Sequence, residues 1–112
     1  MAQGRAVAKG ERYEKLEVNQ SYWESVADNY EEAVTSVYDC DREGLVLERI
    51  AREGARLPRG SAADLGCGVG KFLPSLAEAF AEVQACDWSE TGIEASRRRC
   101  IDLANTSFHR LD

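Results

Sequence analysis

Apolar residues recur at helical spacing near the start of the chain and later give way to short runs. Between Ser21 and Tyr38 the large apolar side chains repeat every three or four positions with acidic residues between them, which predicts an amphipathic helix. A second helix is predicted over residues 41–53, with Asp41 as its N-cap and Gly54 as a left-handed stop. We therefore expect the first part of the chain to be helical.

From residue 61 onward the pattern changes to short strands that alternate with helices. Pro74 delays the start of the first of these helices to about residues 71–73, because the missing N–H of proline is tolerated only in the first turn. Ser89 is the expected cap of the next helix. The predicted strands are 61–65, 82–86 and 106–110. The apolar pattern between them predicts helices over about 70–81, with the late start given above, and over 90–103.

This order of elements predicts the fold class. Strands separated by single helices pair in parallel through right-handed crossovers. The prediction is an α/β fold, the N-terminal half of a doubly wound, Rossmann-like parallel sheet preceded by two helices and truncated after the third strand. We expect residues 1–18 to form a flexible tail, 19–60 a helical lead-in and 61–112 the first part of the core.

Composition narrows the function mainly by exclusion. With 44% apolar and 30% charged residues, the chain is typical of a globular protein in solution, and we expect it in the cytoplasm. The net charge of -6 argues against a nucleic-acid partner, and no apolar stretch is long enough for a membrane span. The four cysteines and one histidine lack metal-ligand spacing, so we expect reduced thiols and no metal site.

Residues 64–70, Asp-Leu-Gly-Cys-Gly-Val-Gly, lie where the first predicted strand meets its helix. Glycines at such a point let the chain turn tightly and let a ligand approach the backbone. The spacing departs from the dinucleotide signature Gly-x-Gly-x-x-Gly, because Lys71 occupies the position of the third glycine. Asp64 at the loop entrance opposes a pyrophosphate and favours a cation. S-Adenosylmethionine (SAM) carries an ammonium and a sulfonium but no phosphate, so the loop favours SAM over a dinucleotide.

Asp87 ends the second predicted strand, which brings it beside the glycine loop in a parallel sheet. A carboxylate there accepts hydrogen bonds from both ribose hydroxyls, in a dinucleotide as well as in SAM. Trp88 offers an apolar face for adenine, although a core or surface tryptophan is nearly as common. These two residues indicate a nucleoside without choosing between the cofactors.

Residues 63–70 and 86–89, Ala-Asp-Leu-Gly-Cys-Gly-Val-Gly and Cys-Asp-Trp-Ser, resemble the first two motifs of the class I SAM-dependent methyltransferases. Residues 22–30 are similar to the Trp, Ala and Tyr helix that precedes the core in many small-molecule members of that family. The resemblance extends from about Ser21 to the end of the chain, and the glycine motif is its specific part.

The resemblance implies which residues contact the methionine moiety and the ribose of SAM. In such enzymes Asp64 and the backbone of Gly66 and Gly68 would hold the methionine moiety, with Cys67 between the two glycines. Asp87 would bind the ribose.

The resemblance also implies contacts to the adenine and a cover over the cofactor. Trp88 would flank the adenine, and Asp112 would meet the adenine amine. Tyr30 would cover the cofactor from the first helix, although a core aromatic on an amphipathic face is at least as common.

The activity that the resemblance implies is methyl transfer from SAM to an acceptor, with a small molecule favoured over a protein side chain. Methyl transfer depends mainly on positioning the acceptor nucleophile in line with the sulfonium carbon. The family's sheet has more strands than the three predicted here, and the elements that form its acceptor pocket come later in the chain. No catalytic residue is therefore assigned, and we expect this chain to be a partial sequence, poorly stable and inactive alone.

Two other functions stay open at this point. One is an NAD- or FAD-linked oxidoreductase domain, which the glycine spacing and Asp64 disfavour. The other is a cofactor-binding or scaffold module without catalysis, which a fold alone does not exclude.

Overall fold

The sheet forms as the alternation of apolar runs predicts. The computed structural model describes residues 20–25 and 36–111. Its strands are Ser61–Leu65 (β1), Glu82–Asp87 (β2) and Thr106–Arg110 (β3). They lie in the order β1-β2-β3 with both neighbouring pairs parallel, which confirms the predicted α/β class. β2 is one residue longer than predicted, because Asp87 is in register with Arg110.

Helices precede the sheet and connect its strands. The predicted tail, residues 1–18, and the middle of the first predicted helix, 26–35, lie outside the described residues. The helices of the described part are 20–25 (α1), Val37–Cys40 (α2), Leu45–Arg56 (α3), Leu73–Ala79 (α4) and Glu90–Arg99 (α5).

The end of the first predicted helix differs from the structure. A single helix was expected to reach Tyr38, but Ser36 has an extended backbone, with φ -86° and ψ 137°, and α2 starts after it. Ser36 is buried, and Tyr38 makes an edge-to-face contact with Phe72, with 5.2 Å between the ring centroids. An ion pair between Asp39 and Lys71 also holds α2 beside the residues that directly precede α4. Tertiary contacts therefore override the helical periodicity at this point.

The predicted N-cap is wrong, because α3 begins at Leu45 and its N-cap residue is Gly44, but the first amides of the helix still bond to the side chain of Asp41. Its carboxylate accepts hydrogen bonds from the backbone N–H of Leu45 at 2.9 Å and of Val46 at 3.0 Å. The predicted stop at Gly54 is wrong, because α3 continues to Arg56. Gly54 instead permits close contact with α4, where a Cβ would lie 2.5 Å from the carbonyl oxygen of Ala79.

The two helices between the strands start where the sequence predicts. Pro74 lies in the first turn of α4, and the Ser89 hydroxyl accepts a hydrogen bond from the Gly92 N–H at 3.1 Å. α5 ends at Arg99, four residues earlier than predicted. The chain then turns toward β3, and the side-chain amide of Asn105 donates to the carbonyls of Ala77 and Phe80.

β2 is the central strand and is more deeply buried than β1. Leu65 on β1 is 74% exposed, whereas Val83 and Ala85 of β2 are fully buried. All four cysteines are free thiols, three of them buried. No helix within residues 20–25 and 36–111 combines the length and apolar character that a membrane crossing requires. The main buried cluster consists of Cys67, Leu73, Val83, Ala85, Ile93 and Cys100.

Candidate functional site: a cavity at the carboxyl ends of the strands

The loop after β1 turns sharply through three glycines with positive φ. Gly66 has φ +84°, Gly68 +55° and Gly70 +83°, values that side chains with a Cβ rarely adopt. The first two amides of the loop, those of Gly66 and Cys67, both donate to the carbonyl of Cys86 on β2, at 2.8 and 2.9 Å. The chain therefore stays tied to β2 while it turns toward α4.

Asp87 at the end of β2 joins the glycine loop to the start of α5. Its Oδ2 accepts a hydrogen bond from the Gly68 N–H at 2.8 Å, and its Oδ1 accepts one from the Ser89 N–H at 2.9 Å. A carboxylate has about four lone-pair positions, so two stay available for further donors. α5 packs closely on the loop, where a Cβ on Gly92 would lie 3.4 Å from the carbonyl oxygen of Gly68.

A cavity of about 460 Å³ opens between the glycine loop, the end of β2, the start of α5 and α1. Its size is in the range of small-molecule sites, and it lies at the carboxyl ends of parallel strands, where α/β proteins bind their ligands. Asp87 is the only charged residue among the described residues that line it. The lining is formed by Trp23, Leu65, Gly66, Gly68, Val69, Cys86, Asp87, Trp88, Ser89, Gly92 and Leu111.

Four of the eight predicted site residues lie on this wall, namely Gly66, Gly68, Asp87 and Trp88. The other four have different placements. Asp64 is half-buried on β1 beside the cavity, and the side chain of Cys67 belongs to the buried core. Tyr30 and Asp112 lie outside the described residues, so their predicted roles stay predictions.

Burial and negative charge shift the ionisation of two groups beside the cavity. Burial raises the pKa of the Asp64 carboxyl, and the nearby Asp87 carboxylate raises it further. Burial, with the Asp87 and Asp64 charges, also raises the pKa of the Cys67 thiol to about 12. Cys67 is therefore a neutral thiol and not a nucleophile. The negative potential at Asp64 is the kind that a bound cation relieves.

The sequence predicts that the first helix covers the cofactor through Tyr30, but it does not assign Trp23 to the site. Trp23 of α1 lines the cavity, although the sequence indicated only an apolar position on an amphipathic helix. Trp23 also packs edge-to-face on Tyr22, with 5.1 Å between the ring centroids. No periodicity or spacing connects α1 with the end of β2, so this contact becomes visible only in three dimensions. Among the described residues, no group of three or more His, Cys, Asp or Glu side chains is placed to hold a metal ion.

This chain is similar to known proteins at the level of solved structures but not at the level of sequence families. No family model matches the chain, and no curated protein matches it. The structure of DhpI with SAM and HEP superposes with a TM-score of 0.66 and 24% identity over 96% of this chain. The chain has the fold of the N-terminal part of the class I methyltransferases.

Two named methyltransferases match the same fold. Phosphoethanolamine N-methyltransferase 1 of Haemonchus contortus, with phosphoethanolamine and S-adenosylhomocysteine (SAH), gives a TM-score of 0.52 and 26% identity over 86% of this chain. Magnesium protoporphyrin IX methyltransferase of Synechocystis PCC 6803, with SAH, gives a TM-score of 0.57 and 22% identity over 86% of this chain. This chain spans 45% of the matched DhpI chain, 22% of the Haemonchus chain and 51% of the Synechocystis chain.

Proposed function

We propose that this chain binds SAM in the cavity described above and supplies the cofactor-binding half of a SAM-dependent methyltransferase. The observation that carries this proposal is that three backbone amides of the glycine loop already donate hydrogen bonds within the protein. The N–H groups of Gly66 and Cys67 donate to a backbone carbonyl of β2. The N–H group of Gly68 donates to the side-chain carboxylate at the end of the same strand. A pyrophosphate needs such amides as donors, so this loop is poorly suited to a dinucleotide.

The charges around the cavity support the same choice of cofactor. Asp87 lies on the wall and Asp64 beside it, while no basic residue is found among the described lining residues. A diphosphate would meet repulsion there, whereas the ammonium and sulfonium of SAM would be attracted. The match to structures that hold SAM or SAH supports this choice independently.

Individual roles follow from the contacts of each group. The Asp87 carboxylate has lone pairs left after its two backbone hydrogen bonds, and we assign them to the ribose hydroxyls. Trp88 presents an apolar wall for the adenine. Because the amides of Gly66 and Gly68 are donated within the protein, any polar contact from these residues to the methionine moiety uses their carbonyl oxygens. Asp64 contributes negative potential rather than a direct contact.

The reaction proposed is transfer of the sulfonium methyl group to an acceptor nucleophile, which leaves SAH. A small-molecule acceptor is favoured over a protein, because two of the matched structures are methyltransferases named for small-molecule substrates. We assign no acceptor atom and no general base to residues of this chain. Its part in the reaction is to bind SAM and to hold the methyl group in a fixed position.

Isothermal titration calorimetry of the 112-residue chain with SAM tests the proposal. We expect saturable binding that weakens by about 30-fold in Asp87→Asn, because the amide accepts fewer hydrogen bonds and carries no charge. Asp102→Asn is the matched control, since Asp102 is exposed and lies in the turn after α5. Thermal melting shows whether each variant is folded. A folded chain that does not take up SAM would refute the proposal, and SAM binding without methyl transfer to any acceptor would indicate a scaffold module.

A further inference from the structure

Glu24 of α1 makes contacts that the cofactor site alone does not explain. Its Oε1 accepts a hydrogen bond from the Glu90 N–H at 2.9 Å, and its Oε2 accepts one from the Thr91 N–H at 3.5 Å. The Thr91 hydroxyl donates to Oε2 as well. These bonds link residues 66 and 67 positions apart in sequence, so they are tertiary contacts and not part of α1 itself.

The contacts place a carboxylate at the start of α5. Backbone N–H groups in the first turn of a helix lack partners within the helix, and a negative charge there also interacts favourably with the helix dipole. The hydrogen bond from Thr91 lowers the pKa of the Glu24 carboxyl, against the effect of burial, and the amides of Glu90 and Thr91 lower it further. Glu24 therefore acts as a cap that α1 supplies to α5.

The residue just before this turn is held by Asp87, the residue proposed to bind the ribose. Asp87 accepts from the Ser89 N–H, and Glu24 accepts from the next two amides. The side chain of Gln20, also on α1, donates to the Trp88 carbonyl at 3.4 Å. α1 is therefore tied by two side chains to the segment that follows β2.

Trp23 shows what this attachment does for the cavity. Trp23 lines the cavity, whereas its neighbour Glu24 does not and instead bonds to α5. Adjacent residues on a helix point in different directions, so a contact made by one fixes the orientation of the other. Glu24 is thus in a position to set where the indole of Trp23 lies.

We propose that Glu24 is a positioning residue for cofactor binding, which acts by docking α1 on α5 so that Trp23 closes the cavity over SAM. The proposal rests on the proposed function, since it names the element that covers that site. Glu24 does not line the cavity. Its loss leaves the glycine loop and Asp87 intact, and it removes one wall.

The test combines cofactor affinity with the exposure of Trp23. The chain has two tryptophans, so in a Trp88→Phe background all tryptophan fluorescence comes from Trp23. We expect Glu24→Ala to weaken SAM binding by about 10-fold and to increase the quenching of Trp23 fluorescence by iodide in the absence of SAM. Glu24→Gln keeps an acceptor oxygen and should restore part of both properties.

Glu94→Ala is the matched control, because Glu94 lies on α5, is about half exposed and pairs with Arg97. It should change neither SAM affinity nor quenching. Thr91→Val removes one donor to Glu24 and gives a second, milder variant if Glu24→Ala fails to fold. Because both substitutions act on the same contact, the losses of SAM affinity in Thr91→Val and Glu24→Gln should not add in the double variant.

The possible outcomes separate this proposal from the proposed function. Failure of the wild-type chain to bind SAM refutes both. If the wild type binds SAM but folded Glu24 and Thr91 variants keep its affinity or leave quenching unchanged, the positioning role alone is refuted. Weaker binding together with greater quenching, partly restored by Glu24→Gln, supports it.

Discussion

Glycine serves two different purposes in two regions of this molecule. Where α3 packs on α4, Gly54 leaves out a Cβ that would lie 2.5 Å from the Ala79 carbonyl oxygen. In the loop after β1, Gly66 has φ +84° and nothing lies within 4 Å of the position that a Cβ would take. The first glycine permits close packing between helices, and the second sets the direction of the backbone beside an open cavity.

The difference separates stability from ligand binding. A substitution between the helices should change the free energy of unfolding and leave the cavity unaltered. A substitution in the loop should lower cofactor affinity even under conditions where the variant is fully folded. Gly70 combines both demands, because it has φ +83° and a Cβ there would lie 2.9 Å from both the Leu73 and Ser96 side chains.

Gly70→Ala is expected to have the largest effect. A left-handed backbone costs a residue with a Cβ about 1–2 kcal/mol, and the crowding at Leu73 and Ser96 adds a similar amount, for a loss of about 3 kcal/mol. Urea denaturation followed by circular dichroism measures this loss. Gly66→Ala is the control that shares the positive φ without the crowding, and equal losses in the two variants would contradict the distinction.

Gly54→Ala should lower the free energy of unfolding by about 2 kcal/mol, because the gain in helix propensity only partly offsets the clash with Ala79. SAM affinity of the folded variant should stay within about twofold of the wild type. A variant that keeps its stability and loses SAM binding would show that the contact between α3 and α4 belongs to the site after all.

Gly66→Ala should cost about 1–2 kcal/mol of stability from its backbone conformation alone. The folded variant should also bind SAM about 10-fold more weakly, because the added methyl group projects beside the cavity. Calorimetric titration at a temperature where the variant is fully folded measures this effect. Unchanged affinity would mean that the cofactor does not approach the loop.

Asp64→Asn is the smallest perturbation and has opposite effects on the two properties. Because the folded state raises the pKa of Asp64 above its usual 3.8, the ionised carboxylate destabilises the fold, and this cost grows as the pH rises through the folded pKa. At neutral pH the variant should melt about 2–4 °C higher, and below pH 4 the difference should disappear.

The same substitution should weaken SAM binding by about fivefold, since it removes negative charge beside the cavity. A stabilised protein with a weaker site is a common result where charges are placed for function. If Asp64→Asn instead lowered the melting temperature at pH 7, the assignment of Asp64 as a destabilising, cation-binding charge would be wrong.

Local chemistry explains which elements the sequence predicts correctly. Pro74 and Ser89 set the starts of α4 and α5 through their own backbone restrictions and hydrogen bonds, and both helices begin as expected. Asp87 is the last residue of β2, so parallel pairing alone brings it to the glycine loop. The glycine spacing similarly places Gly66 and Gly68 on the cavity wall.

Long-range contacts explain the rest. Gly54 looks like a helix stop, and only the approach of α4 shows why it lies inside α3. Cys67 lies within the glycine motif, yet its side chain packs in the core on the other side of the loop. The capping of α5 by Glu24 joins residues more than 60 positions apart. No local propensity encodes such a pairing.

The most direct test of the central claim is a comparison of SAM and NAD⁺ on the same sample of the chain by calorimetric titration. The loop amides donated to β2, and the carboxylates at and beside the cavity, predict that SAM binds at least about 100-fold more tightly than NAD⁺. Binding of NAD⁺ with equal or higher affinity would contradict the claim that this loop is built for a cationic cofactor without phosphate.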